Sequence, residues 1–64
     1  MLITIKDILV VTDPEIEIRI ENIFGKILAH HDVTEDIEDD SILSSAVAGI
    51  TTDGATLVII AQTF

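Results

Sequence analysis

The sequence predicts a small α+β domain made of two antiparallel β-hairpins, over residues 15–33 and 46–62, with short helices at about 4–11 and 35–43. Strict alternation of acidic and aliphatic residues predicts the first hairpin, and an Asp-Gly pair between two apolar runs predicts the second. With 64 residues, 48% of them hydrophobic, the chain has enough material for one core. We therefore expect a single domain spanning residues 1–64.

The first helix is predicted from its cap and its apolar face. Thr4 can serve as the N-cap, and Ile5, Ile8 and Leu9 then lie on one side of a helix. The β-branched residues of this segment also fit a strand, so the helix is the favoured one of two interpretations. Pro14 ends the element, because proline biases the residue before it away from helical geometry.

Residues 15–21 place apolar and charged side chains on alternate faces, which is typical of a strand with one buried face. A helix begun at Pro14 is the alternative for residues 15–28. That helix would put Ile18 on the polar face and Gly25 in its interior, where glycine costs about 1 kcal/mol. We favour the strand.

The remaining elements are predicted from turn and cap signals. Gly25 suits a turn that needs positive φ, after which residues 26–33 return as the partner strand. Thr34 then fits the N-cap of the second helix, with acidic residues in its first turn, where the helix dipole favours negative charge. Asp53 and Gly54 form the turn of the second hairpin.

Net charge determines which partners the chain is suited to bind. Twelve acidic residues against three basic ones give a formal net charge of −9, which repels nucleic acid and anionic membranes. We expect no direct binding of either, and a basic protein surface as the partner instead. The alternative is that the charge serves solubility alone. The candidate partner-binding residues are Glu15, Glu17, Glu21, Asp36, Glu38, Asp39 and Asp40.

The cysteine content and the apolar runs of the sequence bear on disulfide bonds and on cellular location. The chain has no cysteine, which excludes a disulfide framework and a thiol nucleophile. Its first residues lack the basic region and cleavage site of a signal peptide, and no apolar run reaches the roughly 18 residues that cross a bilayer. We expect a soluble, cytoplasmic protein.

His30 and His31 are the one residue pair with a metal-binding or acid–base interpretation. Adjacent strand residues point to opposite faces, so these imidazoles cannot converge on one ion. The acidic run over residues 32–40 lacks the glycine and the ligand spacing of a calcium loop. The serines of residues 41–45 have no base at a recognisable spacing. We therefore expect no catalytic residue, no metal, no cofactor and no enzymatic activity.

Residues 56–61 form a predicted strand that is apolar on both faces. One interpretation is a central strand that is covered on both sides, and the other is a strand that presents one face to a second copy in a homodimer. The candidate self-association residues are Leu57, Val58, Ile59 and Ile60.

The pattern as a whole resembles small uncharacterised proteins of phages and prophages of Gram-positive bacteria. The resemblance lies in a leading short helix, an acidic and aliphatic strand ending in EIRI, a glycine turn, an acidic EDI stretch, an uncharged strand and a C-terminal strand that follows Asp-Gly. The matching positions are 5–9, 15–21, 25, 33–37, 47–50 and 53–60. The resemblance implies a phage or prophage origin and the same architecture, and it transfers no catalytic residue.

Two functions are consistent with these features. In the first, the acidic face binds a basic protein of the host cell, as an inhibitor or as a mimic of nucleic acid. In the second, the chain is a structural or assembly accessory protein that self-associates through its apolar C-terminal hairpin.

Overall fold

Two helices and four strands make up the fold of residues 2–63, the part of the chain that the computed structural model describes. The helices are Ile5–Val11 (α1) and Asp40–Leu43 (α2), and the strands are Ile18–Glu21 (β1), Ile27–His31 (β2), Val47–Asp53 (β3) and Thr56–Ala61 (β4). The strands form one mixed sheet in the order β2-β1-β4-β3. The predicted α+β class is confirmed.

The sheet consists of two antiparallel pairs that join at its centre. β1 pairs with β2, and β3 pairs with β4, both in antiparallel fashion. The central strands β1 and β4 run parallel, with Ile18 beside Leu57 and Ile20 beside Ile59. Parallel neighbours need a long connection, so this central contact depends on both halves of the chain.

α1 begins at a capping box. The Thr4 hydroxyl accepts from the Asp7 backbone N–H at 3.3 Å, and the Asp7 carboxylate accepts from the Thr4 N–H at 2.9 Å. Both N–H groups lack a partner within the helix, and the box satisfies them. At the other end of the helix, the Thr12 hydroxyl donates to the Ile8 carbonyl at 2.6 Å. Ile5 is fully buried and anchors the helix on the sheet.

β1 is shorter than the predicted strand because Asp13 organises the residues before it. The Asp13 carboxylate accepts from the Glu15 N–H at 2.9 Å, and the Asp13 carbonyl accepts from the Ile16 N–H at 3.0 Å. This turn around Pro14 holds Glu15 and Ile16 outside the sheet. Residues 15–28 therefore form a turn, β1, the connection to β2 and the first two residues of β2, and the alternative helix does not form there.

α2 is a single turn, whereas the sequence predicts a helix over residues 35–43. The Thr34 hydroxyl and N–H both donate to the Asp32 carboxylate at 2.7 Å, so Thr34 is held in a turn and cannot cap a helix. The cap is Asp39, whose carboxylate accepts from the Ser41 N–H at 2.9 Å. The helix therefore starts more than one turn later than predicted.

Glycines with positive φ occupy the turns of both antiparallel pairs. Gly25 has a φ of 84° between β1 and β2, and Gly54 has a φ of 62° between β3 and β4. Gly54 and Ala55 alone separate the paired residues Asp53 and Thr56. Since only the first of these two loop residues has positive φ, the turn has the φ pattern of type II′.

The core lies between the two helices and one face of the sheet. Its fully buried side chains are Ile5, Ile18, Ile20 and Ile59. Ile8 of α1, Ile42 of α2 and Ile37 before α2 pack against this cluster. Both helices therefore cover the same face of the sheet, and within residues 2–63 no helix covers the other face.

Neither helix is long enough to cross a membrane. A bilayer core requires about 20 helical residues, whereas α1 has seven and α2 has four. Residues 2–63 contain no other α-helix.

Candidate functional site

The strand order brings acidic residues from three segments of the sequence to one end of the sheet. β1 and β4 start at this end, and β2 and β3 finish there. Glutamates precede β1, aspartates follow β2, and the last residue of β3 is an aspartate, so all of these residues lie at this end. We call this surface the acidic end and define it as Glu15, Glu17, Asp32, Glu35, Asp36 and Asp53.

Hydrogen bonds and close approaches hold these residues at the acidic end. The Glu17 carbonyl accepts a bond of 2.9 Å from the N–H of the second residue of β4. The Asp32 N–H donates to the Glu35 carbonyl at 3.0 Å, which turns the chain back after β2. Oδ1 of Asp36 lies 3.5 Å from Nδ1 of His31, the last residue of β2. The carboxylates therefore cluster through the backbone geometry of four strand ends.

Basic residues neutralise little of the negative charge at the acidic end. Lys26 is in the turn at the opposite end of the sheet, and Lys6 is on α1. Arg19 is bound to Glu21 and Asp53. A negative potential therefore extends from the acidic end into solvent, as expected when like charges are grouped on one surface.

Arg19 links two carboxylates on the sheet face that the helices leave open. Its Nε lies 2.6 Å from Oε2 of Glu21, and its Nη2 lies 3.1 Å from Oδ2 of Asp53. These hydrogen bonds, with the one to Glu21 the stronger, raise the pKa of the Arg19 guanidinium above its ordinary value. Because Arg19 is on β1 and Asp53 is on β3, the arginine side chain crosses β4, where Val58 is only 2% exposed. Arg19 thus covers an apolar residue and fixes Asp53.

Asp32 organises the loop that follows β2. Its Oδ1 accepts from the hydroxyl and the N–H of Thr34, each at 2.7 Å, and from the Glu35 N–H at 3.0 Å. These bonds, chiefly the one from the Thr34 hydroxyl, lower the pKa of the Asp32 carboxyl below its ordinary value. At the cap of α2, the hydroxyl and N–H of Ser41 lower the pKa of Asp39 in the same way.

Acid is expected to destabilise the fold through Asp32 and Asp39. Their pKa values are lower in the folded chain than the ordinary value of 3.8, so their stabilisation is present above that value and is lost as the pH falls through the folded one. We expect the free energy of unfolding, measured by urea titration with circular dichroism, to fall progressively as the pH drops below about 5. Asp32→Asn, which keeps the acceptor oxygen, should reduce the fall. Thr34→Val, which removes the main donor, should reduce it too, and an unchanged fall in both variants would contradict the role of Asp32.

The predicted partner-binding residues do not form one continuous face. Those at the acidic end, all exposed, are Glu15, Glu17 and Asp36. Glu21 lies at the far end of β1 and is held by Arg19, and Asp39 caps α2, so both side chains serve the fold. Glu38 and Asp40 are exposed on either side of this cap and are not part of the acidic end, and Asp40 lines a cavity with Thr4 and Lys6 of the first helix and its cap.

Three residues of the acidic end were not among the predicted site residues. They are Asp32, Glu35 and Asp53. Each of them follows a strand or is its last residue, so correct strand boundaries would have placed them at an end of the sheet. The proximity of Asp32 and Glu35 to Glu17 follows from the antiparallel pairing of β1 with β2. The proximity of Asp53 requires the parallel pairing of β1 with β4, which the sequence pattern does not reveal.

The two histidines lie on opposite faces of β2, as alternation along a strand requires. His30 is exposed, whereas the side chain of His31 is 18% exposed and lies beside Ile18. Nδ1 of His31 is buried and makes no hydrogen bond within residues 2–63. Over the same residues, no group of three or more His, Cys, Asp or Glu side chains is arranged to hold a metal ion.

The apolar run that the sequence offers for self-association lies in β4, a central strand paired on both sides. Ile59 is fully buried in the core, and Val58 is buried on the opposite face beneath Arg19. Leu57 and Ile60 are partly buried. The structure places this run in a central strand whose two edges are paired with β1 and β3, and contact of one of its faces with a second copy stays a prediction.

A shallow, open cavity of about 330 Å³ lies between the two helices. It is lined by Thr4, Lys6, Asp40, Leu43 and Ser44. Its walls bring together one amine, one carboxylate and two hydroxyls, without the second carboxylate or the imidazole that would complete an acid–base pair. The cavity therefore gives no basis for a catalytic assignment.

No protein-family model matches the chain. No curated protein and no solved structure matches it either. The chemistry of its own surfaces is therefore the basis on which a function can be proposed.

Proposed function

We propose that the protein is a non-catalytic binding module whose acidic end contacts a basic surface on another protein. The observation that carries this proposal is the convergence of carboxylates from three separate segments at one end of the sheet. Arg19 forms an ion pair with one of them, Asp53. Carboxylates grouped in this way repel one another, and a cationic partner relieves that repulsion.

The acidic end is also largely ordered before any partner arrives. Asp32 holds its loop through three hydrogen bonds, and Arg19 holds Asp53 through an ion pair. A surface that is already ordered loses less conformational entropy on binding than a flexible one. This order supports specific recognition of a partner over a role in solubility alone.

Titration with a peptide of about ten lysines tests the proposal, because such a peptide offers positive charge and little else. In heteronuclear NMR spectra, amide signals of the acidic end should shift, and those of the turn around Lys26 should not. The double variant Glu15→Lys, Glu17→Lys should lower the affinity by about tenfold or more. Raising the salt concentration from about 50 to about 200 mM should also weaken binding by about tenfold, because salt screens exposed charges.

The matched control is the double variant Glu38→Lys, Asp40→Lys. It makes the same change in net charge at two exposed positions outside the acidic end, and it should lower the affinity by no more than about threefold. Equal losses in the two double variants, with circular dichroism showing both folded, would mean that the peptide senses net charge only. That result would overturn the proposal.

A further inference from the structure

The two edge strands of the sheet differ in how they are protected. The outer strand β2 is flanked by Lys26 and Asp32 and ends in two histidines. β3, the other outer strand, has no charged residue and no proline before its last residue, Asp53. Charges and prolines are the usual means of keeping an edge strand from pairing with another chain, so β3 is the unprotected edge.

The backbone groups on this free edge can be assigned from the turn. Asp53 and Thr56 flank a two-residue loop and therefore form a hydrogen-bonded pair. Hydrogen bonding alternates along an antiparallel pair, so Thr51 also bonds to β4. The N–H and C=O groups of Ile50 and Thr52 consequently point away from the sheet, where β3 has no neighbouring strand within residues 2–63.

Within residues 2–63, the extended stretch before α1 contacts only the beginning of the β3 edge. Thr4 is paired with Ala46, and the Val47 N–H donates to the Ile3 carbonyl at 2.8 Å. Residues 49–53 lie beyond this contact. Ile50, in the uncovered part, is 50% exposed, and Ile3, which contacts the covered part at Val47, is 53% exposed. The edge thus combines free backbone groups with exposed apolar surface, a combination that suits strand addition.

We infer that the uncovered edge of β3 pairs with β3 of a second copy of this chain, in antiparallel fashion about a two-fold axis at Thr51. In this register Ile50 faces Thr52 of the second copy, and each such pair exchanges two backbone hydrogen bonds. The segment of Ile50, Thr51 and Thr52 is uncharged and β-branched throughout, so the same residues serve as both strands with favourable cross-strand contacts. The result is one continuous sheet across two copies.

For two copies paired through β3, the charge distribution favours the antiparallel arrangement over the parallel one. The acidic end of each copy lies where β3 finishes, so antiparallel pairing directs the two acidic ends away from each other. The two Asp53 residues would stand about 13 Å apart along the strands, which exceeds the screening length of about 8 Å at physiological salt. A parallel arrangement would instead place the two acidic ends side by side.

Sedimentation equilibrium between about 10 µM and about 1 mM tests this inference. The wild-type chain should form a dimer, and Ile50→Lys should raise its dissociation constant by about tenfold or more, because lysine protects an edge. Ile27→Lys is the matched control, since Ile27 is 51% exposed and Ile50 is 50% exposed, each on an outer strand. Both substitutions change the net charge equally, and Ile27→Lys should leave the dissociation constant within about threefold.

Two further measurements make the result specific to the edge. Amide hydrogens of Ile50 and Thr52 should exchange more slowly as protein concentration rises. Thr52→Pro removes an outward N–H without touching the bonds between β3 and β4, so it should abolish the dimer while circular dichroism shows an intact fold. This variant keeps the test valid where Ile50→Lys fails to fold.

A monomer at every concentration would overturn the inference, and so would a dimer that Ile27→Lys weakens as much as Ile50→Lys. The effect of salt distinguishes dimer formation through β3 from binding at the acidic end. Added salt should strengthen the dimer, because it screens the repulsion between two chains of like charge, whereas it should weaken binding of a lysine peptide. Failure of one proposal therefore leaves the other standing.

Discussion

Ile59→Ala is expected to lower the free energy of unfolding by about 2–5 kcal/mol, the range for removing a buried isoleucine side chain from a core. Ile59 is fully buried on the central strand β4, beside Ile20 of β1 and Ile50 of β3. A domain of this size has a total stability of about 3–10 kcal/mol. The substitution should therefore leave a large fraction of the chain unfolded.

Urea titration followed by far-ultraviolet circular dichroism measures this effect, because the chain has no tryptophan or tyrosine for fluorescence. Ile27→Ala is the matched control. It removes the same atoms from an outer strand, where the side chain is 51% exposed, and it should cost less than about 1 kcal/mol. Equal costs for Ile59→Ala and Ile27→Ala would contradict the placement of Ile59 in the core.

Asn22→Ala is expected to cost about 2–3 kcal/mol, because it leaves two backbone donors of a tight turn without their acceptor. Asn22 is 5% exposed. Its Oδ1 accepts from the Phe24 N–H and from the Lys26 N–H, each at 2.9 Å. Its own N–H donates to the Lys26 carbonyl at 2.9 Å. The side chain therefore closes the connection between β1 and β2.

Asn22→Asp is the informative control for this position. Aspartate has the same shape and keeps the acceptor oxygen, so most of the stability lost in Asn22→Ala should be retained. The comparison is again made by urea titration. A wild-type stability for Asn22→Ala would show that the two hydrogen bonds to Oδ1 contribute little.

Local signals predicted the local parts of the fold. Thr4 was predicted as the N-cap of α1, and the N–H that it binds belongs to Asp7, three residues away, so this signal is informative without tertiary context. Gly25 and Gly54 likewise predicted turns that need positive φ. In each case the residues that determine the geometry are close together in the sequence.

Competition between neighbouring side chains explains the error in the second helix. Thr34 and Asp39 are both good N-cap residues, and the sequence pattern favours Thr34. In the structure, Asp32 binds the Thr34 hydroxyl and N–H, which leaves the cap to Asp39. Such a choice depends on the path of the chain after β2, and that path is decided by packing of Ile37 and Ile42 against the core.

The candidate site was only partly predictable because it depends on a contact between distant segments. Charge at Glu15, Glu17 and Asp36 was evident from the sequence. The ion pair of Glu21 with Arg19 joins residues two apart on one face of β1, whereas the arrival of Asp53 at the acidic end follows from the parallel pairing of β1 with β4. No local pattern encodes that pairing.

The parallel contact between β1 and β4 also determines what the chain exposes while it is being synthesised. β1 and β2 are complete early, but β1 has one bare edge until β4, near the end of residues 2–63, has been made. An unpaired strand edge on a nascent chain invites aggregation. Charged residues alternate with the apolar ones in this segment, Glu17, Arg19 and Glu21 among them, and charges placed in this way disfavour pairing of an exposed strand with another chain.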